Sequence, residues 1–290
     1  MARMEYQTFR LETLPALTAP VFIIGFRGWG NALEVSAGTA AYLMETLQAV
    51  SFGHIEPDAC YRYDESRPVV KIETGVMKSI APPGGSFFAI ETHPGENDLV
   101  ILIADEPSLN WYRFSRELVD LAHRLKTPGV ITLGSMFDNV LHTDRIISAV
   151  TTGSDFEGMV SRHRVIPINY HGPSAIHTII LEACRKRAVA GASLWGHCPA
   201  YLQGITHHGM MLQLVRLLAD MASFSVKTDA LEAGWEALEI QIQKLMADNP
   251  KLQGIMDQVR KKKREGAVQD LGQGGNEQGK VINLKDFLDP

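Results

Sequence analysis

Cysteine, positive charge and long apolar runs are all scarce in this sequence. Its 290 residues include three cysteines, none of them in a C-x-x-C pair, and this count is typical of free thiols in a reducing compartment. The formal net charge is -5, whereas a general nucleic-acid binder carries a clustered excess of positive charge. No run approaches the roughly 20 apolar residues of a membrane-spanning helix. We therefore expect a cytoplasmic protein whose partners include neither nucleic acid nor a membrane.

Signature motifs of cofactor, metal and nucleophile sites are missing as well. Gly28-Trp29-Gly30 supplies part of a dinucleotide-binding fingerprint, but Leu33 stands where the third glycine belongs, and no Gly-Lys-Ser/Thr follows. The histidines form no H-x-x-x-H pair beside a carboxylate on a predicted helix. Ser135 lacks the G-x-S-x-G surroundings of a nucleophile elbow. We expect no cofactor and no metal.

What the chain does contain is a strand, a glycine turn and a helix between residues 20 and 50. The apolar run 21–24 predicts a buried strand, Gly28 and Gly30 mark the turn, and residues 32–48 are expected to form a helix. An anion site at the helix N-terminus is one interpretation of the turn. The other is a tight turn whose helix lies close on the sheet, and six small residues at 36–41 favour it.

The next segments repeat the strand and helix order. A polar loop and a small β-rich insert are expected between residues 59 and 98, followed by a buried strand at 99–104, a helix at 111–125 and a strand at 130–133. Further strands are predicted at 146–150 and 188–195, and helices at 174–187 and 207–221. This order predicts an α/β fold, a single three-layer domain with a mostly parallel sheet and C-terminal helices.

Three regions follow from the changes in composition: an α/β core at 1–227, a helical extension at 228–265 and a flexible tail with an apolar end at 266–290. In the extension, Leu231, Trp235, Leu238 and Ile242 recur at spacings of four and three, which predicts one apolar face serving as an oligomer or packing surface. The basic run 260–264 favours a solvated helix end over a binding patch. The apolar segment 281–288 is either a docking peptide or a tail that folds back.

Candidate site residues lie where predicted parallel strands end, because ligands of open α/β sheets bind at that edge. A ring could stack on Trp29 or Trp111, Arg67 could contact an anion, and His142 or Glu106 could transfer protons. A hydrogen-bonded turn residue is the alternative for each histidine. The remaining ligand-binding candidates at the same edge are Gly28, Asn31, Thr143 and Tyr201.

Several segments, taken together and in order, resemble the proteasome assembly chaperone 2 family in its archaeal and bacterial branch. The matching segments are Gly25-Phe26-Arg27-Gly28-Trp29-Gly30-Asn31, Asp64-Glu65-Ser66-Arg67-Pro68, Glu106-Pro107-Ser108-Leu109-Asn110-Trp111, Thr132-Leu133-Gly134-Ser135, Leu141-His142-Thr143, Tyr170-His171-Gly172-Pro173-Ser174-Ala175-Ile176 and Ser193-Leu194-Trp195. The resemblance implies a fold similar to the purine nucleoside phosphorylase and peptidyl-tRNA hydrolase type. It also implies homo-oligomers, commonly trimers, and no well-established catalytic activity; the eukaryotic relatives guide assembly of proteasome α-subunit rings.

Two departures from the family pattern stand out. Many bacterial members read Gly-Trp-Asn-Asp where this chain has Gly28-Trp29-Gly30-Asn31, and the chain ends Leu288-Asp289-Pro290 without the tyrosine of a proteasome-docking tail. Two hypotheses result. The first is a non-enzymatic oligomeric protein of the assembly-chaperone type, whose partners are other copies of itself and proteasome subunits or another protein complex. The second is a small-molecule-binding protein or enzyme that takes a nucleoside- or phosphate-type ligand at the strand ends.

Overall fold

The computed structural model describes residues 6–153, 158, 162–163, 165–248, 253–254, 256–257 and 260. Its strands are β1 (Phe9–Leu11), β2 (Val21–Arg27), β3 (Val50–Ile55), β4 (Val69–Glu73), β5 (Val76–Ala81), β6 (Gly85–Ile90), β7 (Leu99–Asp105), β8 (Gly129–Asp138), β9 (Ile147–Thr151), β10 (Ile166–Pro167) and β11 (Ala190–Pro199). Its α-helices are α1 (Val35–Thr46), α2 (Pro57–Cys60), α3 (Trp111–Arg124), α4 (Ile176–Lys186), α5 (His208–Ala222) and α6 (Asp229–Asp248).

A nine-stranded sheet forms the middle layer, in the order β1-β3-β6-β7-β2-β8-β11-β9-β10. Its centre, β7-β2-β8-β11, is parallel, whereas β6 joins β7 and β9 joins β11 in antiparallel fashion. Helices α1, α5 and α6 share one buried cluster with the sheet, and α3 and α4 share another. The α/β class and the layered order predicted from the sequence are therefore confirmed, with antiparallel strands added on both sides of the parallel centre.

Strand β2 shows why the apolar run is continuous. Ile23 packs into the cluster with α1, while Phe22 and Ile24 pack into the cluster with α3, because alternate side chains point to opposite faces. A Cβ atom at Gly25 would lie 2.8 Å from the Cβ of Ala40. Glycine and the small residues of α1 thus let helix and sheet lie close together, as the second interpretation of this stretch expected.

The helix predicted at 32–48 is shorter than expected. Residues 32–34 form a 3-10 turn in which Leu33 and Glu34 are left-handed, and α1 begins at Val35. The chain cannot turn into a helix earlier because it is still paired with β8: the Ser135 amide donates to the Gly30 carbonyl (2.8 Å), and Asn31 bridges Ser135. The left-handed residues then reverse the direction of the chain.

Other element boundaries also differ from the sequence interpretation. Strands β1 and β3 were not predicted, and residues 87–90 of the expected insert belong to β6 of the main sheet. Strand β11 continues to Pro199, beyond its predicted end at residue 195, so His197 and Cys198 lie in a buried strand. The following helix was expected from residue 174, but α4 begins at Ile176, and its N-cap residue makes no side-chain capping bond.

The C-terminal apolar stripe packs within the chain. Leu231, Trp235, Leu238 and Ile242 are at most 5% exposed and belong to the cluster that includes α1 and α5. The stripe was expected to serve as an oligomer surface or a packing surface. Because its side chains are buried within one chain, it serves as a packing surface and is not exposed to a second copy.

Two further sequence expectations fall outside the described part of the chain: most of the basic run at 260–264 and the whole tail at 266–290. Among the helices that are described, none has both the length and the apolar character needed to cross a membrane.

Candidate functional site

The carboxyl ends of the central parallel strands meet at one edge, as expected. The Glu106 amide, just after β7, donates to the Arg27 carbonyl at the end of β2 (2.8 Å). On the other side of β2, the Ser135 hydroxyl of β8 donates to the Ala32 carbonyl (2.9 Å). The loops that follow β2 and β7 thereby form the walls of two adjoining grooves.

The first of these, the aromatic groove, has an open volume of about 600 Å³. Trp29 is 71% exposed, and its ring meets Trp195 edge to face at 6.2 Å. Tyr170 is 55% exposed, and the Trp111 indole donates to the Pro107 carbonyl. The groove is lined by Trp29, Glu106, Trp111, Tyr170, Pro173, Ser174 and Ala175. Exposed aromatic surface of this kind binds apolar groups and organic cations.

The second, the arginine groove, has an open volume of about 850 Å³. Arg27 forms an ion pair with Asp105 (2.7 Å), and Asp105 also accepts from the Gly84 amide (2.8 Å). Arg67 is exposed and forms no ion pair with any described residue. The lining residues are Arg27, Gly28, Ser66, Arg67, Val69, Ala81, Pro82, Pro83, Asp105 and Glu106. An anion could bind at Arg67 without breaking an existing pair.

Glu106 lines both grooves and also holds the fold together. One of its carboxylate oxygens accepts from the Ile176 amide (3.1 Å) at the first residue of α4. A carboxylate in this position satisfies a free helix N–H and interacts favourably with the helix dipole. Gly28 faces it with φ of +122°, and a Cβ atom there would lie 3.3 Å from the Cβ of Glu106. The contact thus requires glycine at this turn.

Asn31 is a ligand candidate whose side chain already has intramolecular partners. Its amide oxygen accepts from the Ala37 amide (3.1 Å) in the first turn of α1, and its amide nitrogen donates to Glu34 (3.0 Å). Asn31 is not among the residues that line either groove. It acts as a cap for α1.

His142, Thr143 and Tyr201 do not line the grooves. The Tyr201 hydroxyl accepts from the His142 amide (2.7 Å) and forms a second hydrogen bond with His142 Nδ1 (2.8 Å). His142 is 7% exposed and packs against Trp235, and burial lowers its pKa. Thr143 is exposed with no hydrogen bond to a described residue. The arrangement corresponds to the alternative considered for the histidines, a hydrogen-bonded residue.

Sequence analysis did not predict the hydrogen-bonded chain Asp138–His197–Ser148, here called the relay, which crosses three neighbouring strands. His197 lies between Asp138 (2.8 Å, to Nδ1) and Ser148 (2.9 Å, to Nε2) on the neighbouring strands. Burial raises the pKa of Asp138, but the hydrogen bonds from His197 and the Asn139 amide and the charge of His197 together outweigh burial, so that the pKa is lowered overall. Ser148 and His197 are fully buried, so a substrate cannot reach the serine. The relay joins the antiparallel strand β9 to the parallel centre.

His177 is a second buried imidazole that sequence reasoning did not single out. It lies in the first turn of α4, 4.9 Å from the ring of Trp195 and 5.5 Å from that of Phe26. Neither ring nitrogen has a hydrogen-bond partner in the described structure. Burial lowers its pKa to about 3, so the ring is neutral at physiological pH.

Cysteine and metal chemistry have little basis in the described residues. Burial raises the pKa of each of Cys60, Cys184 and Cys198 to about 12, and such thiols are poor nucleophiles. Across the described ranges, no group of three or more histidine, cysteine or acidic side chains is placed to hold a metal ion.

Comparison with known proteins gives a consistent picture. The model of the PAC2 family matches residues 22–246, whereas no protein with a curated description matches significantly. A PAC2 family protein from Streptomyces avermitilis is 27% identical, with a TM-score of 0.71 over 78% of this chain and 95% of that one. A proteasome-assembly chaperone homologue from Mycobacterium tuberculosis is 23% identical (TM-score 0.74; 81% and 99% covered). An archaeal proteasome activator from Pyrococcus furiosus is 18% identical (TM-score 0.64; 82% and 98% covered). The last two likenesses concern the fold alone.

Proposed function

Because the chain belongs to the PAC2 family, we propose that it acts without catalysis, as an oligomeric protein that assists the assembly of another protein complex. The observation that carries the proposal is the family match across residues 22–246, the part of the chain that forms both grooves. Solved relatives of the same fold include a proteasome-assembly chaperone homologue and a proteasome activator. Proteasome subunits are therefore the first partners to test.

The chemistry of the strand-end edge supports a binding role over a catalytic one. Of the two groups considered for proton transfer, Glu106 accepts from the N-terminus of α4 and His142 is buried on Tyr201. The exposed groups at this edge are instead large rings, with Trp29 at 71% and Tyr170 at 55%. Exposed aromatic rings of this kind are enriched at protein interfaces.

Affinity purification from the native host tests the proposal. The tagged full-length chain, a Trp29→Glu/Tyr170→Glu variant and a 1–265 truncation are captured, and co-purifying proteins are measured by quantitative mass spectrometry. We expect stoichiometric subunits of one complex with the full-length chain and their loss with the groove variant. Loss on truncation would assign docking to the tail instead. A variant with Ile240→Glu, at an exposed position on α6, is the matched control. Recovery of the protein alone in every case contradicts the assembly role.

Binding of a nucleoside- or phosphate-type ligand is the second candidate function. It is favoured by Arg67, which forms no ion pair with a described residue and lies in the groove that adjoins the exposed ring of Trp29 through Glu106. A thermal-shift panel of nucleosides, nucleotides and inorganic phosphate tests it on the wild type and on Arg67→Ala. A shift that is lost in the variant supports this function, and the absence of any shift contradicts it.

A further inference from the structure

The hairpin of β4 and β5, here called the arm, is a two-stranded sheet separate from the main one. Every residue of both strands is exposed. A two-stranded hairpin without further cover is at best marginally stable in water. We therefore expect the arm to be more stable when its exposed apolar residues are covered by another surface.

The register of the arm places four of its apolar residues on one face. Val70 pairs with Ile80 and Ile72 pairs with Met77, and residues directly opposite or two apart on a strand share a face. These four side chains are 47%, 60%, 60% and 63% exposed in the order Val70, Ile72, Ile80 and Met77. The other face carries the Lys71 and Glu73 ion pair together with Val69 and Val76. The first face is thus the one without charged residues in its strand pairs, and it is uncovered.

The same chain presents a complementary surface in the aromatic groove. That groove is concave, and the aromatic side chains that line it are exposed to solvent to a similar degree as those of the arm, with Trp29 at 71% and Tyr170 at 55%. Since both surfaces are exposed within one chain, the arm does not cover the groove of its own subunit. A second copy is the natural occupant to consider, since each copy presents both an uncovered arm and an uncovered groove.

Charge supports the same pairing. Lys78 lies at the bulge of the arm, where the register between the strands shifts. It is exposed and forms no ion pair with a described residue. In the aromatic groove, one oxygen of Glu106 accepts from Ile176, and its carboxylate forms no ion pair with a described residue. An arm seated in the groove of a neighbour can bring a cation to this carboxylate, and opposite charges guide the register of such contacts.

We propose that the arm of one copy docks in the aromatic groove of the next, with its apolar face on Trp29 and Tyr170 and with Lys78 facing Glu106. This inference rests on the oligomeric part of the proposed function and names the surfaces that form the oligomer. Two copies related by a twofold axis can exchange arms, and three or more copies joined head to tail can close into a ring. The proposal therefore names the contact between copies, and the experiment gives their number.

Paired variants test the contact. An arm variant carries Ile72→Glu and Met77→Glu, a groove variant carries Trp29→Glu and Tyr170→Glu, and the control carries Ile240→Glu at a position with 67% exposure outside both surfaces. Circular dichroism establishes that each variant is folded, and native mass spectrometry gives the number of copies. We expect an oligomer for the wild type and the control and a monomer for each variant alone. An equimolar mixture of the two variants should form a heterodimer, because one intact arm still meets one intact groove.

Other results overturn the proposal in distinguishable ways. A folded arm variant that retains the wild-type mass removes the arm from the interface while leaving the oligomeric function in place. A monomeric arm variant beside a fully oligomeric groove variant points to contacts between arms and contradicts docking in the groove. A monomeric wild type at all concentrations contradicts both this contact and the oligomeric function. Conversely, the expected masses together with no captured complex uphold the contact and contradict the assembly role.

Discussion

Because Trp235 packs on Gly209, we predict that Gly209→Ala destabilises the wild type but stabilises a variant in which Trp235 is replaced by alanine. Trp235 in α6 is 5% exposed and stacks on His207 at 5.3 Å, with the Arg145 guanidinium 5.2 Å from the centre of its ring. Loss of a buried tryptophan costs about 3–5 kcal/mol. We therefore expect Trp235→Ala to lower the free energy of unfolding by about that amount.

Gly209 in α5 lies directly under the same ring. A Cβ atom added there would stand 2.5 Å from Trp235 Cε3 and 2.6 Å from Cδ2, both of them atoms of a rigid ring. Gly209→Ala alone should cost roughly 1–3 kcal/mol through overpacking. In the Trp235→Ala background the ring is absent, and the same change should stabilise by up to about 1 kcal/mol, because alanine favours the helix more than glycine does.

The assay is urea unfolding of the wild type, both single variants and the double variant, followed by far-UV circular dichroism at one protein concentration. A fixed concentration is needed because association shifts apparent stability. Ile240→Ala on the same helix, at a position with 67% exposure, is the control and should change stability by less than about 0.5 kcal/mol. Additive effects of the two substitutions would refute the packing argument, and so would a loss below about 1 kcal/mol for Trp235→Ala.

Three further predictions concern the capping carboxylate and the buried titratable groups. Glu106→Ala should lower the free energy of unfolding by about 0.5–2 kcal/mol through loss of the cap on α4, and Glu106→Gln by less, since its amide oxygen can still accept; equal losses would contradict the cap. Because the pKa of Asp138 is lowered in the folded state, its contribution to stability is complete above the unfolded value of about 3.9 and is lost as the pH falls through the folded value. The difference between wild type and Asp138→Asn, about 1–3 kcal/mol at neutral pH, should therefore shrink in acid, and a constant difference would count against the relay. The pKa of His177 is about 3 in the folded state, below the unfolded value of about 6.5, so the unfolded chain takes up the proton first as the pH falls. Between about pH 6.5 and 3 this costs the wild type about 1.4 kcal/mol per pH unit, a cost that His177→Phe should remove; urea titrations with equal pH slopes would refute it.

Much of the fold followed from local patterns in the sequence. The apolar runs of β2 and β7 predict buried parallel strands, because side chains of such strands are covered on both faces. Apolar residues recur at helical spacing along α3 and α6, and this pattern predicts helices with one buried face. The short or irregular segments were harder: β1 has three residues, and Leu33 and Glu34 turn left-handed only because pairing with β8 holds the preceding residues.

The sequence predicted where the grooves lie but not all of the residues that line them. Gly28, Trp29 and Glu106 follow strands that are parallel neighbours, so their convergence at one edge is implied by the order of strands and helices. Tyr170 and Pro173 reach the same groove because Glu106 accepts from the first amide of α4, a contact between residues 70 positions apart that no spacing rule reveals. His142, expected at the edge, instead pairs with Tyr201 beneath α6.

The amino-acid sequence by itself determined the α/β class, the central strands and the family to which the chain belongs, because periodicity and ordered motifs are local properties of the chain. Tertiary structure alone decided that Asp138, His197 and Ser148 form one relay. It also decided that Trp235 faces the core and that the arm carries four uncovered apolar side chains on one face. Strand register and helix docking bring together residues far apart in sequence, and these depend on packing over the whole domain.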